Sequence, residues 1–498
     1  MDTNKSTQNL QPVVTRFAPS PTGFMHIGSI RTALFAYLWA KKNNGTFILR
    51  IEDTDKDREV KGSIEHICES LKWLGINWDY GPDKPGSFGS CIQSERLDTY
   101  IDFAKKLIVN GYAYPDPYTA VEVEAFRKQA ELNKQPFLYR NHRPATFDTW
   151  DGTKPLRFKV PEIKKYHWHD AVRGNLEAGE EALDDFILIK SDGFPTYNFA
   201  HIIDDLNMSV THILRADEFI SSTPRFLSLY EALGITPPIF VTLPPILRED
   251  HTKKLGKRDG AKDVLEYRRE GYLPEAVLNL LALIGWNPGT TQELFTKEDL
   301  INSFEIGKIQ RAGGSFNEEK LLWFNHQYIS KLSSEDFAIK ASTFLPEWLS
   351  TNSSVFKRSS SILREKITRM DEITNIFSQD GELGFIKGLL DYEPDKLLWK
   401  NEPSFSVTTT HLSKCREIIL DLNETHDPTS TLGFTTESIK KAIWPYAELA
   451  GKGNVLWPLR MALTGQEKSP DPFVCAYILG REESLKRIDI AIDKIKTQ

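Results

Sequence analysis

The sequence predicts an α/β protein: a parallel, helix-wound sheet interrupted by an insert and followed by a mainly helical C-terminal region. Three observations predict it. Strand-like and helix-like periods alternate over 12–110 and return over 191–250. Between them, over 111–190, Pro115, Pro117, Pro136, Pro144, Pro155 and Pro161 break both periods. From 326 to 498 apolar residues recur at helical spacing, around Ile362, Ile367 and Ile373 and again around Ile478.

The elements follow in order. Val13 to Phe17 is β-branched and reads as a strand. Ala18-Pro19-Ser20-Pro21-Thr22-Gly23 is a turn, and Ile30, Ala33, Leu34, Tyr37 and Leu38 then mark a helix over 30–41. A strand, a tight turn and a helix start make an anion site, because the first helical turn presents unpaired N–H groups and a positive dipole end. His26 stands at the helix entrance, and Gly28 lets a ligand approach the backbone. On position alone, His26 is a histidine satisfied at a helix start. No G-x-x-x-x-G-K-[ST] and no G-x-G-x-x-G occurs in this segment, which disfavours a Walker ATPase or a dinucleotide enzyme.

A strand over 46–51 and helices over 62–74 and 96–109 complete the first half. Strands over 210–214 and 239–243 flank a helix over 223–233 in the second. The piece from 251 to 325 opens on Lys253-Lys254-Leu255-Gly256-Lys257-Arg258-Asp259-Gly260 and contains a helix over 273–284. A basic loop alone is a solvated face or a nonspecific nucleic-acid patch.

With 498 residues, the chain should hold several domains. A charged fraction of 26% and a hydrophobic fraction of 40% belong to a soluble globular protein, and a net charge of −7 argues against an overall polybasic RNA binder. Cys68, Cys91, Cys415 and Cys475 form no C-x-x-C, and residues 1–11 carry no apolar signal core. No run approaches the ~18 apolar residues of a membrane span. A cytoplasmic protein is expected.

Two motifs change the weight of the turn and the loop. His26-Ile27-Gly28-Ser29 and Lys254-Leu255-Gly256-Lys257-Arg258 resemble, as an ordered pair, the two split motifs of class I aminoacyl-tRNA synthetases. The finer resemblance is to the glutamyl-tRNA synthetase family. It is carried by Arg16 to Gly23, Arg50-Ile51-Glu52-Asp53-Thr54-Asp55, Asp192 to Ala200 and Thr211-His212-Ile213-Leu214-Arg215, in the family's order and spacing. Two departures stand out. Gly256 replaces the family's usual serine, which loosens the loop and bears on the rate of activation. Ala216-Asp217-Glu218-Phe219 varies a normally more polar run.

The resemblance implies a Rossmann-like catalytic domain over 12–110 and 191–250, with an insert over 111–190 that grips the acceptor end of tRNA. It implies a mobile lysine loop and stem-contact piece over 251–325 and a helical anticodon-binding region over 326–498. The implied activity is ATP-dependent activation of glutamate and its transfer to tRNA(Glu), with Mg²⁺ accompanying the ATP phosphates and the enzyme acting as a monomer. His26, Lys254 and Lys257 are the implied catalytic residues, and Gly28 and Glu218 join them at ATP. Glutamate needs a cation for its side-chain carboxylate, and Arg16 and Arg215 are the candidates because a guanidinium fork holds a carboxylate through two hydrogen bonds. Glu52 is the candidate partner of the substrate ammonium, with Ser20 and Tyr197 supplying hydroxyls and Ala18 backbone contacts. The competing local reading makes Arg50, Glu52 and Asp53 a surface ion cluster and Tyr197 a core aromatic.

Some members of the family carry zinc in the insert. Here Gly111-Tyr112-Ala113-Tyr114 runs into Pro115-Asp116-Pro117-Tyr118 with no sulfur, and His142, His167 and His169 lack a four-ligand spacing, so no structural metal is expected. Arg140, His142 and Arg143 are the candidates for the acceptor end, Lys308, Arg311 and Trp323 for the stem, and Arg364, Lys366 and Arg369 for the anticodon. Glutaminyl-tRNA synthetase shares this catalytic core but pairs it with a β-barrel anticodon module, which the helical C-terminal third disfavours. An inactive RNA-binding relative is disfavoured by the intact His26, Gly28, Lys254 and Lys257.

Overall fold

The computed structural model describes residues 12–251, 253–256, 262–400, 404–422 and 433–497. Its contacts divide the chain into two units, Met1–Arg268 with Pro274–Phe324, and Arg269–Leu273 with Asn325–Gln498.

The first unit opens with β1 (Val14–Phe17), α1 (Ile27–Lys42) and β2 (Thr46–Leu49), a parallel β-α-β step in which Val14 to Phe17 pair with Thr46 to Leu49. Both strands are buried except at their first residues, as a sheet covered on both faces requires. α1 is buried along most of its length, from Ile27 through Ala40, so its N-terminus is held rigidly. It begins three residues earlier than the apolar period suggests because His26 caps it. Helices α2 (Ser63–Trp73) and α3 (Leu97–Val109) follow.

The proline-broken segment builds β3 (Ala113–Pro115), the exposed helix α4 (Ala120–Leu132), β4 (Leu156–Phe158) and, at its end, β7 (Ile187–Ile189). These strands form a small antiparallel sheet in the order β3-β4-β7. Between β4 and β7 lies the hairpin of β5 (Tyr166–Asp170) and β6 (Gly174–Ala178), which joins the main sheet instead. Buried Asp170 fixes that junction. Its carboxylate accepts from the backbone N–H and hydroxyl of Thr242 and from the N–H groups of Val172 and Arg173.

The chain then returns through α5 (Tyr197–Asn207), β8 (His212–Ala216), α6 (Thr223–Ala232) and β9 (Ile239–Leu243), a second parallel step. The six-stranded sheet has the order β2-β1-β8-β9-β5-β6. Strand order therefore reverses between β1 and β8, the kind of crevice where open α/β sheets bind ligands at their carboxyl ends. Beyond it come β10 (Ile246–Leu247), α7 (Val264–Arg269), α8 (Pro274–Leu283), α9 (Lys297–Ser303), β11 (Gly314–Ser315), which pairs with β10, and α10 (Glu318–Ser330).

The second unit is helical, with no strand among its described residues: α11 (Ser334–Ala341), α12 (Ser354–Lys366), α13 (Glu372–Ile376), α14 (Phe405–Asp421), α15 (Thr436–Ala450), α16 (Lys452–Thr464), α17 (Pro472–Leu479) and α18 (Arg481–Lys496). Leu412, Cys415, Leu459 and Ile488 are fully buried members of its core. The architecture is the Rossmann-like sheet, insert and helical C-terminal region expected from the sequence. No helix among the described residues is long and apolar enough to cross a membrane.

Candidate active site

A cleft of about 470 Å³ opens where strand order reverses, and Arg16, Ala18, Ser20, His26, Glu52, Tyr197, Arg215 and Glu218 all line it. The fold thus brings together eight of the sequence candidates. Gly28 lies just inside α1. Lys254 reaches the same place through an ion pair of 2.6 Å with Glu218. Lys257 lies outside the described residues.

The N-terminus of α1 forms one wall. His26 has extended backbone angles, and its Nδ1 accepts from the N–H of Gly28 at 3.1 Å, so the histidine is itself the N-cap. Nε2 lies 3.4 Å from the Ser29 hydroxyl. A Cβ at position 28 would sit 2.9 Å from Cε1 of His26, so glycine is needed there to admit the imidazole. That is a different reason from the ligand approach expected from the sequence. No acidic residue occupies the first turn of α1, which leaves its positive end uncompensated.

The lysine segment is tied at both of its described ends. On one side the N–H of Leu255 donates to the Ile246 carbonyl at 2.8 Å, and Lys254 pairs with Glu218. On the other, Asp263 lies 2.7 Å from Nε2 of His66, and the N–H of Val264 donates to the Met25 carbonyl, beside His26.

Beneath the cleft is a buried charge network. Arg16 bonds Asp205 at 3.0 Å, and Arg50 bonds the same carboxylate at 2.7 Å and Glu52 at 3.0 Å. Asp204 accepts from Arg96, Gln93 and Tyr100 at 2.8, 2.8 and 2.9 Å. Arg50, Asp204 and Asp205 are at most 1% exposed, so the surface ion cluster that Arg50, Glu52 and Asp53 suggested is in fact interior. Asp53 plays a separate part, accepting from the backbone and hydroxyl of Ser94 and from Lys56. Asp204 and Asp205 on α5 were not singled out by sequence. Nothing local marks them, because their partners lie more than a hundred residues away.

Burial alone would raise the Asp205 carboxyl, but Arg16 and Arg50 overcome it and hold it down to about 2. Replacing Asp205 by alanine should therefore destabilise the first unit by about 3–5 kcal/mol, because two buried guanidinium groups lose their shared counter-charge. Denaturant unfolding followed by a fluorophore in that unit checks it, and an unchanged midpoint would refute the electrostatic account.

For Glu52 the balance tips the other way. Burial raises it and Arg50 and Arg16 pull it back only in part, leaving it at about 7. A carboxyl with a raised pKa is protonated below that pH and then has no charge to offer an ammonium group. The KM for an amino-acid substrate held at Glu52 should fall about tenfold between pH 6 and pH 8. Initial-rate titrations across that range test this, and Glu52→Gln should give a flat profile.

Arg215 differs from Arg16. It is buried, and no carboxylate among the described residues pairs with it; its one hydrogen bond runs from Nη2 to the Thr223 hydroxyl at 2.6 Å. Instead the rings of Phe240, Phe226 and Phe219 surround the guanidinium at 4.9, 5.2 and 5.7 Å. Desolvation lowers its pKa, the mark of a cation short of a counter-ion. Tyr197 stacks on His201 at 4.6 Å, and its burial raises the phenol.

The RNA candidates fare differently. Arg143 forks onto buried Asp185, Arg140 bonds the Leu183 carbonyl, and His142 stacks on Phe126 at 4.1 Å, so all three are engaged within the insert. Lys308 and Arg311 bond the Pro288 and Val172 carbonyls, whereas Trp323 is 42% exposed. In the second unit Arg364 bonds the Leu332 carbonyl, Lys366 pairs with Glu382, and Arg369 pairs with Asp371. That unit's aromatic cleft, about 370 Å³, was missed. Trp399 and Trp457 line it 5.7 Å apart, with Trp444, Lys440, Lys452 and Arg460. Lys452 sits 4.5 Å from the centroid of the Trp444 ring. A scan for tryptophan near lysine or arginine on adjacent helices would have found it. Among the described residues, no three His, Cys, Asp or Glu side chains gather as a metal site.

Residues 12–323 match the family described as tRNA synthetases class I (E and Q), catalytic domain, and residues 336–492 match the anticodon binding domain family. The chain is 40% identical over 494 residues to a glutamate–tRNA ligase of Clostridium botulinum, covering 97% of this chain and 99% of that one. It is 38% identical to a glutamate–tRNA ligase of Dehalococcoides mccartyi, covering 97% and 98%. Among solved structures it resembles a glutamate tRNA ligase from Elizabethkingia meningosepticum in complex with its amino acid. The TM-score is 0.82 at 34% identity, with 97% of this chain and 99% of that chain covered.

Proposed function

The chain belongs to the class I tRNA synthetases for glutamate and glutamine, and from that membership we infer that it is a glutamate–tRNA ligase. It joins L-glutamate to tRNA(Glu) at the expense of ATP, releasing AMP and diphosphate. The observation that carries the assignment of substrate to site is the buried, uncompensated Arg215 facing the same cleft as Glu52. A cation with no carboxylate partner among the described residues and a carboxylate in the same cleft suit an amino acid with an acidic side chain.

In this reading the substrate ammonium lies against Glu52 and its side-chain carboxylate against Arg215. Arg16 is anchored by Asp205 and presents its remaining N–H groups. Ser20, Tyr197 and the Ala18 backbone complete the amino-acid pocket. ATP lies over the start of α1, between His26 and Gly28 on one side and Glu218 and Lys254 on the other, and Mg²⁺ enters with its phosphates. An oxygen of the glutamate α-carboxylate attacks the α-phosphorus as the bond to the β-phosphate oxygen breaks, and diphosphate leaves. A 3′-terminal ribose hydroxyl then attacks the acyl carbon and AMP departs. Neither step needs a covalent enzyme intermediate, so positioning and charge stabilisation supply the acceleration. His26 and Lys254 meet the charge that builds on the phosphate oxygens, joined by Lys257. The tryptophan cleft of the second unit offers stacking faces and cations for an unpaired anticodon base. The active species is a cytoplasmic monomer.

The test is charging of purified glutamate and glutamine tRNAs with labelled glutamate and, separately, labelled glutamine. Glutamate on tRNA(Glu) supports the reading, and glutamate on both tRNAs makes the enzyme non-discriminating. Transfer of glutamine instead would overturn it.

A further inference from the structure

The wall behind Arg215 holds three buried polar atoms that have no hydrogen-bond partner among the described residues: Arg215 Nε, His201 Nε2 and Tyr230 OH. Their residues are 6%, 0% and 2% exposed, so bulk solvent does not reach them. Two of these residues meet Phe226 on α6, and the third lies on the same helix. The His201 ring meets Phe226 edge-on at 4.6 Å, Cζ of Arg215 is 5.2 Å from its centroid, and Tyr230 follows one helical turn later on the same face.

Their hydrogen-bonding capacities are complementary. His201 Nδ1 lies 2.7 Å from the Tyr197 carbonyl, which can only accept, so Nδ1 carries the proton. Burial, aided by the nearby Arg215 and Arg16, keeps the imidazole neutral by lowering its pKa to about 3. Nε2 is then a bare acceptor, the Arg215 Nε–H is only a donor, and the Tyr230 hydroxyl can do either. About three bonds of mixed sense is the usual complement of one buried water.

We propose that a single water joins His201 Nε2, Tyr230 OH and Arg215 Nε–H, making His201 and Tyr230 positioning residues that aim the Arg215 fork at the substrate's side-chain carboxylate. The proposal rests on the assignment of Arg215 to that carboxylate. With Nε held from behind and Nη2 engaged by Thr223, rotation of the guanidinium is fixed and its remaining N–H groups are left for the cleft.

Two conservative changes isolate the water. Tyr230→Phe removes one hydroxyl and leaves the packing in place, and His201→Leu removes the acceptor. Each is expected to raise the KM for glutamate about fivefold, with kcat and the KM for ATP nearly unchanged. The double variant should be no worse than the worse single one, because both act through one molecule. His201→Gln, which returns an acceptor, should recover most of the loss. A crystal structure should show a density peak within hydrogen-bonding distance of all three atoms. A wild-type KM in Tyr230→Phe, multiplicative effects in the double variant, or no peak would each overturn the water. Failure of the wild-type enzyme to charge glutamate in the same assay would instead overturn the functional reading.

Discussion

Arg215→Ala should lower kcat/KM for glutamate about a thousandfold while leaving the protein folded and its KM for ATP nearly unchanged. Losing one side of a buried, hydrogen-bonded charge pair costs about 2–5 kcal/mol, and in the proposed site the substrate carboxylate is the side left unpaired. Folding survives because Arg215 has no carboxylate of its own to abandon, unlike Arg50, whose loss would take the hydrogen-bonded cation from Glu52 and leave Asp205 with Arg16 alone. Arg215→Lys should recover little, since an ammonium cannot keep the Thr223 bond and a two-pronged grip at once. Steady-state titrations of glutamate beside a thermal melt decide it. A near-normal glutamate KM in a folded Arg215→Ala enzyme would move the substrate pocket elsewhere.

His26→Ala should slow glutamate activation about 10²–10³-fold, measured as ATP–pyrophosphate exchange with tRNA present, and change the KM for ATP little. The same change also removes the cap of α1, worth about 1 kcal/mol of helix stability. His26→Asn separates the two effects. Asparagine is a good N-cap and should restore the melting behaviour, yet it is too short to meet the phosphates from the same position and should stay slow. Recovery of rate in His26→Asn would reassign His26 to a purely structural part.

The residues that line the cleft were legible in the sequence because they sit in short, ordered stretches: Arg16 in β1 and Ser20 in the turn after it, Glu52 after β2, Arg215 in β8. Position alone made His26 a helix-start histidine, and the structure gives it that cap as well as a place on the cleft. What the sequence could not reveal is which charges are matched. Asp205 looks like one polar residue at the end of an amphipathic helix, yet it decides that Arg16 is anchored and Arg215 is not. The β5–β6 hairpin was equally hidden. Its attachment to the main sheet depends on Asp170 meeting Thr242, a pairing across 72 positions that no local period reports. Side chains on one surface announce themselves by spacing, whereas partners in a buried network are joined only by the completed fold.

That network also sets an order of events as the chain is made. Arg50 leaves the ribosome 155 residues before Asp205, its principal counter-charge. At ~5–20 residues per second, the nascent segment waits roughly 8–30 s with Arg16 and Arg50 lacking Asp205. During that interval β1 and β2 cannot close over their buried ends, since β8, the neighbour on the other side of β1, has not yet been synthesised. The first β-α-β step therefore gains its buried counter-charge and its second sheet neighbour only once α5 and β8 have been made. Synonymous codons that slow translation between residues 110 and 190 should lower the soluble yield of the enzyme more than the same codons placed after residue 330.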